Sequence, residues 1–233
     1  MESTYKNIGY FFLILLAFVV LGFYKTYFIY FPTFENVNAI KQFHGAMLFS
    51  WFLLLIVQPF LLRFKKFALH RTLGKLAYLL VPLVMLSIFL VSKQKYLTNF
   101  SKVPLEENIG DLAMNIPSIF YFALLFTLAM IYKKNGPYHM RFMIANALFV
   151  FSPGFGRAFI IYAGVNFSQS VVIAITMIEI ITAGLLIYDL IKGKPYVPYL
   201  LTLCFLISFH LTWVFRFSPL WQFTGAHIAG MFF

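Results

Sequence analysis

Seven runs of about twenty predominantly apolar residues follow one another along the chain, and that pattern leaves few folds open. About twenty residues of α-helix cross a hydrocarbon core of about 30 Å. Backbone polar groups in lipid must be satisfied within the segment or within a closed barrel. The strict alternation of barrel strands is absent, so the runs predict spanning helices over 8–30, 40–62, 74–92, 114–132, 142–162, 170–191 and 197–215. The connections between them are short, and no hydrophilic stretch has the length of a soluble domain. Residues 1–233 therefore read as a single transmembrane helical domain, an all-α bundle.

Composition agrees. Hydrophobic residues make up 62% of the 233 positions and charged residues 11%, against roughly 25% charged in soluble domains. The net charge of +11 does not point to nucleic acid, because the cations sit in short clusters between apolar runs. That arrangement is a topology signal and suits anionic headgroups. Lys6, Arg63, Lys65, Lys66, Arg71, Lys75, Lys133, Lys134, Arg141, Lys192 and Lys194 fall on one side of the expected membrane. Lys25, Lys41, Lys93, Lys95 and Lys102, offset by Glu35, Glu106, Glu107 and Asp111, fall on the other. The bias predicts a cytoplasmic N-terminus in a bacterial inner membrane. Lys6 precedes the first run as in a signal peptide, but no small-x-small cleavage site follows, so a retained first helix is expected. Residues 93–113 read as a solvated outer loop with a short helix, and residues 216–233 either span or lie along the outer interface.

Within the spans, a few polar residues need a reason to be there. Glu179 stands near the centre of the sixth, where an acid costs about 2.5–3.5 kcal/mol and should face a partner. Arg157 is the expected one, about 7 Å inside the outer boundary against about 13 Å for Glu179. Such a pair can gate a proton, anchor a ligand carboxylate or serve only as structure. The run Ser152-Pro153-Gly154-Phe155-Gly156 marks a break or a close packing contact in the fifth span.

The histidines fall into two pairs of matched depth. His44 and His210 lie about 6–7 Å inside the outer boundary by helical rise, while His70 and His139 stand at the inner one. Two axial histidines on facing helices are what a b-type haem needs. Two such sites would carry electrons across the bilayer, with quinone or another membrane subunit as partner. Histidines are also ordinary interfacial residues. Trp51 and Gln58 continue the His44 face at seven-residue spacing and could line a cofactor pocket or simply pack. Zinc and hydrolase signatures are absent, and Cys204 is the only cysteine.

The run from His44 through Trp51, Gln58, His70 and Arg71 to Gly74, with His139, Arg141, Met143 and Arg157, resembles a group of bacterial multi-spanning membrane proteins of no settled activity. The arrangement of histidines at helix ends is remotely similar to cytochrome b561-type proteins, and that similarity implies two bound haems. His70 and His139 depart from it by lying among basic interfacial residues. Three functions fit these residues: a haem-bearing electron carrier, a non-enzymatic subunit or assembly factor of a membrane complex, and a small proton-coupled transporter using Glu179 and Arg157. A reporter fused after Lys66 and one fused near Glu106 are expected to localise to opposite sides of the membrane. The same side for both would show that the number of crossings is wrong.

Overall fold

The computed structural model describes residues 5–233, and helix makes up 83% of it with no strand among the described residues. Seven segments are long and apolar enough to cross a membrane, so the chain is an all-α polytopic membrane protein. The helices are α1 (Ile8–Phe23), α2 (Ala39–Arg63), α3 (Phe67–Gly74), α4 (Ala77–Asn99), α5 (Leu105–Ile131), α6 (Gly136–Ala163), α7 (Phe167–Ile191), α8 (Val197–Val214) and α9 (Pro219–Phe232). Short α3 runs into α4 to make one of the seven spans, and α9 is the extra element.

The central helix is α6. Its span is 56% buried against 22–33% for the other six, and α1, α2, α5, α7 and α8 all pack on it. Small residues make this possible, because they let neighbouring backbones approach where lipid offers no hydrophobic drive. Gly22 of α1 and Gly154 of α6 are in backbone contact: a Cβ on Gly22 would overlap the Gly154 carbonyl oxygen. Gly156, two residues on, meets α7, where a Cβ would lie 2.9 Å from the Ser170 carbonyl. The Ser152–Gly156 run is thus a packing surface, and the helix continues through Pro153. The α6–α7 turn closes on Gly164 at φ +69° and reopens with a capping box between Asn166 and Gln169. The box satisfies the backbone N–H groups of Asn166 and Gln169 at the start of α7.

Residues 93–113 depart from expectation. The connection is only residues 100–104, because α4 runs on to Asn99 and α5 starts at Leu105. The polar residues that suggested a loop instead support two helices extended past the apolar zone. Glu106 and Glu107 occupy the first turn of α5, where the helix dipole favours acids. Asp111 pairs with Lys95 of α4 at 2.8 Å, and the Asn108 amide donates to the Tyr96 carbonyl at 3.0 Å. The tail then folds back as α9, with Trp221 Nε1 donating to the Ile109 carbonyl at 3.2 Å. There α9 covers a small cluster of Tyr96, Ile109, Leu112 and Ile116.

The glycine contact sets a clear expectation. Gly22→Ala forces the α1 and α6 backbones apart and should cost about 1–3 kcal/mol, read as a lower unfolding midpoint in detergent. Gly184→Ala, whose Cβ would meet nothing within 4 Å, should leave the midpoint unchanged.

Candidate functional site

Glu179 meets His210. The His210 Nδ1 lies 3.1 Å from both carboxylate oxygens of Glu179, and the two side chains keep 21% and 17% of their exposure. Arg157 is not the partner: it is exposed, with its guanidinium over the Phe23 ring at 5.2 Å from the centroid. Helical rise accounts for the difference once depth is measured from the turns that join the helices. Arg157 is six residues from the end of α6 and Glu179 twelve from the start of α7, an offset of about 9 Å. Across the other turn, Glu179 lies twelve residues before Ile191 and His210 thirteen after Val197. Those distances agree to about 1.5 Å.

The pair heads a buried polar line along the α7–α8 seam. Glu179, Thr182, Leu186 and Asp189 share one face of α7 by their three- and four-residue spacing, as do Tyr199, Thr202, Leu206 and His210 on α8. Thr182, Asp189, Tyr199 and Thr202 are all buried. At its far end, near the cluster of Lys and Arg that we call the basic end, lies a second ion pair. Arg141 of α6 grips Asp189 with two hydrogen bonds, Nε to Oδ2 at 2.5 Å and Nη2 to Oδ1 at 3.0 Å, and both side chains are fully buried. The Arg141 Nη1 donates to the Pro137 carbonyl at 3.1 Å. The guanidinium lies 5.2 Å from the Tyr5 ring centroid and 5.9 Å from that of Tyr199, and the two phenol oxygens are 3.2 Å apart.

Sequence reasoning placed Arg141 among the headgroup-facing cations and overlooked Asp189. The structure puts both in the core. The available signal was that Asp189 is the lone acid at the end of a span whose neighbours are all basic.

The stripe on α2 is resolved into three separate clamps. His44 Nδ1 lies 3.0 Å from Ser87 Oγ on α4. Ser87 spends its own proton on the Val84 carbonyl at 2.7 Å, so it accepts, and His44 carries its proton on Nδ1. Trp51 Nε1 donates to Asn146 Oδ1 of α6 at 2.9 Å, and the Asn146 amide donates to the Phe122 carbonyl of α5 at 3.2 Å. The Gln58 amide, oriented by its neighbours, donates to Nδ1 and the carbonyl of His70 and accepts from the Gly74 N–H at 3.0 Å. Residues seven apart on one helix face therefore tie α2 to α4, α6 and α3 in turn. Asn146, buried mid-span, escaped the sequence reading.

These geometries bear on haem. A bis-histidine iron needs two rings converging with free nitrogens. The structure does not bring His44 and His210 together: His44 bonds Ser87 of α4, His210 bonds Glu179 of α7, and α2 and α8 lie against different sets of helices apart from the central α6. His139 and His70 are within Coulombic reach of each other. His139 Nδ1 donates to the Ala129 carbonyl at 2.8 Å, which frees its Nε2. The Gln58 amide instead fills His70 Nδ1 and leaves the proton on Nε2, the tautomer that opposes ligation. Among the described residues no group of three or more His, Cys, Asp or Glu converges as a metal site. The residues present do not fit a bis-histidine haem.

Fold and site together define a polytopic helical membrane protein with an acid–imidazole pair between two of its spans. No known protein family, curated protein or solved structure matches the chain.

The pairing is checked by double-mutant cycles on stability in detergent. Glu179→Gln and His210→Gln should couple by about 0.5–3 kcal/mol, whereas Glu179→Gln and Arg157→Gln should add. Arg141→Gln, which strands the Asp189 carboxylate in the core, should cost about 3–5 kcal/mol. Coupling to Arg157 but not to His210 would show that the assigned partner is wrong.

Proposed function

We propose that the chain is a proton-coupled membrane carrier whose exchangeable charge is held by Glu179 and His210. The observation that carries this reading is the direct bond between a carboxylate and an imidazole at matched depth in adjacent spans. An acid in a span is costly unless it is paired or functional. An imidazole is the partner whose own proton can come and go near neutral pH. The pair is net neutral whether the proton rests on oxygen or on nitrogen. A second proton gives it one positive charge, and loss of the first gives it one negative charge. Moving either charged form through lipid is expensive, so its protonation state can bias which conformation the bundle adopts.

The contrast with Arg141–Asp189 sharpens the assignment. A guanidinium does not release its proton in proteins, and that pair is fully enclosed, so it holds helices in place. Glu179 and His210 retain part of their exposure, so the bundle does not enclose them as it does that pair. Toward the basic end the seam is closed by Thr182, Thr202 and Tyr199, and the two threonine hydroxyls donate to the Ile178 and Pro198 carbonyls of their own helices at 2.7 Å.

The test is titration of the purified protein by infrared spectroscopy. A carboxyl band assignable to Glu179 is expected in the wild type; it should be absent from Glu179→Gln, shifted in frequency in His210→Gln, and unchanged in Arg157→Gln. In vesicles with an internal pH dye, the wild type should admit protons under an imposed potential and Glu179→Gln should match empty vesicles. A band that survives Glu179→Gln, or equal flux in the two proteins, would sink the reading.

A further inference from the structure

An open groove of about 360 Å³ runs between α2 and the α3–α4 segment on the outside of the bundle. Met47, Leu54 and Val57 form one wall, and Leu76, Leu80 and Leu83 form the other. Met47 to Val57 covers about 15 Å of helix, the reach of a long stretch of hydrocarbon chain. Helix α3 closes the foot of the groove and contributes Leu73 to it.

The cations are placed where this groove ends. Lys75 immediately precedes the wall residue Leu76, and Arg71 stands two residues before Leu73. Lys65 and Lys66 enter the same short helix, and all four are exposed. The ion pairs among the described residues include Lys95–Asp111, Arg141–Asp189 and His210–Glu179, and none of the four has an acid partner among the described residues. Arg63, by contrast, is occupied, donating to Asn7 Oδ1 at 2.6 Å and lying over the Tyr10 ring. Phe67 and Leu69 of α3 are 54% and 46% exposed. Apolar side chains beside cations on one short helix are the pattern of a segment lying in the interfacial plane. Four exposed positive charges at the foot of a strip of leucines select a ligand with a negative head and an apolar tail.

We propose that this groove is a binding site for an anionic phospholipid, with one acyl chain along the α2–α4 strip and the phosphate against Lys65, Lys66, Arg71 and Lys75. The charge complementarity decides the occupant. A transmembrane helix of another protein would need only the leucines, and a zwitterionic lipid would leave the cations uncompensated. The site is distinct from the Glu179–His210 pair and stands or falls separately from it.

Native mass spectrometry of the full chain in detergent, titrated with phosphatidylglycerol or phosphatidylcholine, tests the proposal. Phosphatidylglycerol should form the more persistent adduct. Each cation contributes about 1 kcal/mol near an anionic surface, so Arg71→Gln should weaken it about five-fold and Arg71→Gln with Lys75→Gln about twenty-five-fold. Leu80→Trp, which fills the groove without changing charge, should also lose the adduct. Lys192→Gln with Lys194→Gln removes as much charge from the α7–α8 turn and should leave binding intact. Equal binding of the two lipids, equal loss in the Lys192/Lys194 variant, or full binding by the Arg71/Lys75 variant would each overturn the site.

Discussion

Inside a bilayer there is no water to satisfy a polar side chain, and this constraint organises the molecule more than hydrophobic burial does. Apolar side chains are as comfortable against lipid as against one another, so they supply little reason for helices to associate. What selects the arrangement is a set of intramembrane polar side chains that find their partners on different helices. Arg141 joins α6 to α7, Trp51 joins α2 to α6, Asn146 carries that link to the α5 backbone, and His44 joins α2 to α4. Glu179 and His210 tie α7 to α8. With α6 at the centre these contacts form a connected frame, and the close glycine contacts bring α1 and α7 onto it.

Much of this architecture was legible in the sequence, and the reasons separate cleanly. The spans were visible because hydrocarbon thickness sets a length that composition reveals directly. The Ser152–Gly156 run announced close packing because only small residues permit backbone contact. Glu179 announced a need for a partner because of its cost in lipid. The identity of that partner was missed because depth was counted from the presumed outer boundary, which helices of unequal length do not share. Helix α7 has 25 residues and α8 has 18. Their common reference is the short turn between them, and from there the depths agree. Arg141 was misplaced for a related reason: charge counting treats every cation at a span's end as solvated and does not foresee one enclosed by Asp189 and two tyrosines. The polar segment 93–113 shows the converse error, since polarity argued against the membrane without arguing against the helix.

The histidine pattern illustrates how a regular spacing can hold while its residues serve separate partners. His44, Trp51 and Gln58 do share a face, as their seven-residue interval requires. Each uses that face to bind a different neighbour, so the stripe acts as a row of fasteners along α2. A regular interval on a helix says which residues point the same way. It does not say that they point at the same thing. The segment from Gln58 to Gly74 is the clearest case, since its residues close a local loop in which the amide of one helix holds the middle and the last residue of the next.

The short α7–α8 turn has a consequence of its own. It makes the two helices behave as the arms of a pair of tweezers, with Glu179 and His210 as the tips. The tips meet only because the arms are nearly equal, and α-helical geometry allows little slack. Adding or removing a single residue in one arm moves its tip by about 1.5 Å and turns it by about 100° about the helix axis, which carries the side chain off the shared face. Drift in this part of the chain is therefore restricted in kind. Exchanges of one apolar residue for another along either arm leave the tips opposed. A change in the length of one arm has to be matched by the other, and the spacing between the acid and the imidazole is the quantity that homologous chains with this chemistry must hold constant.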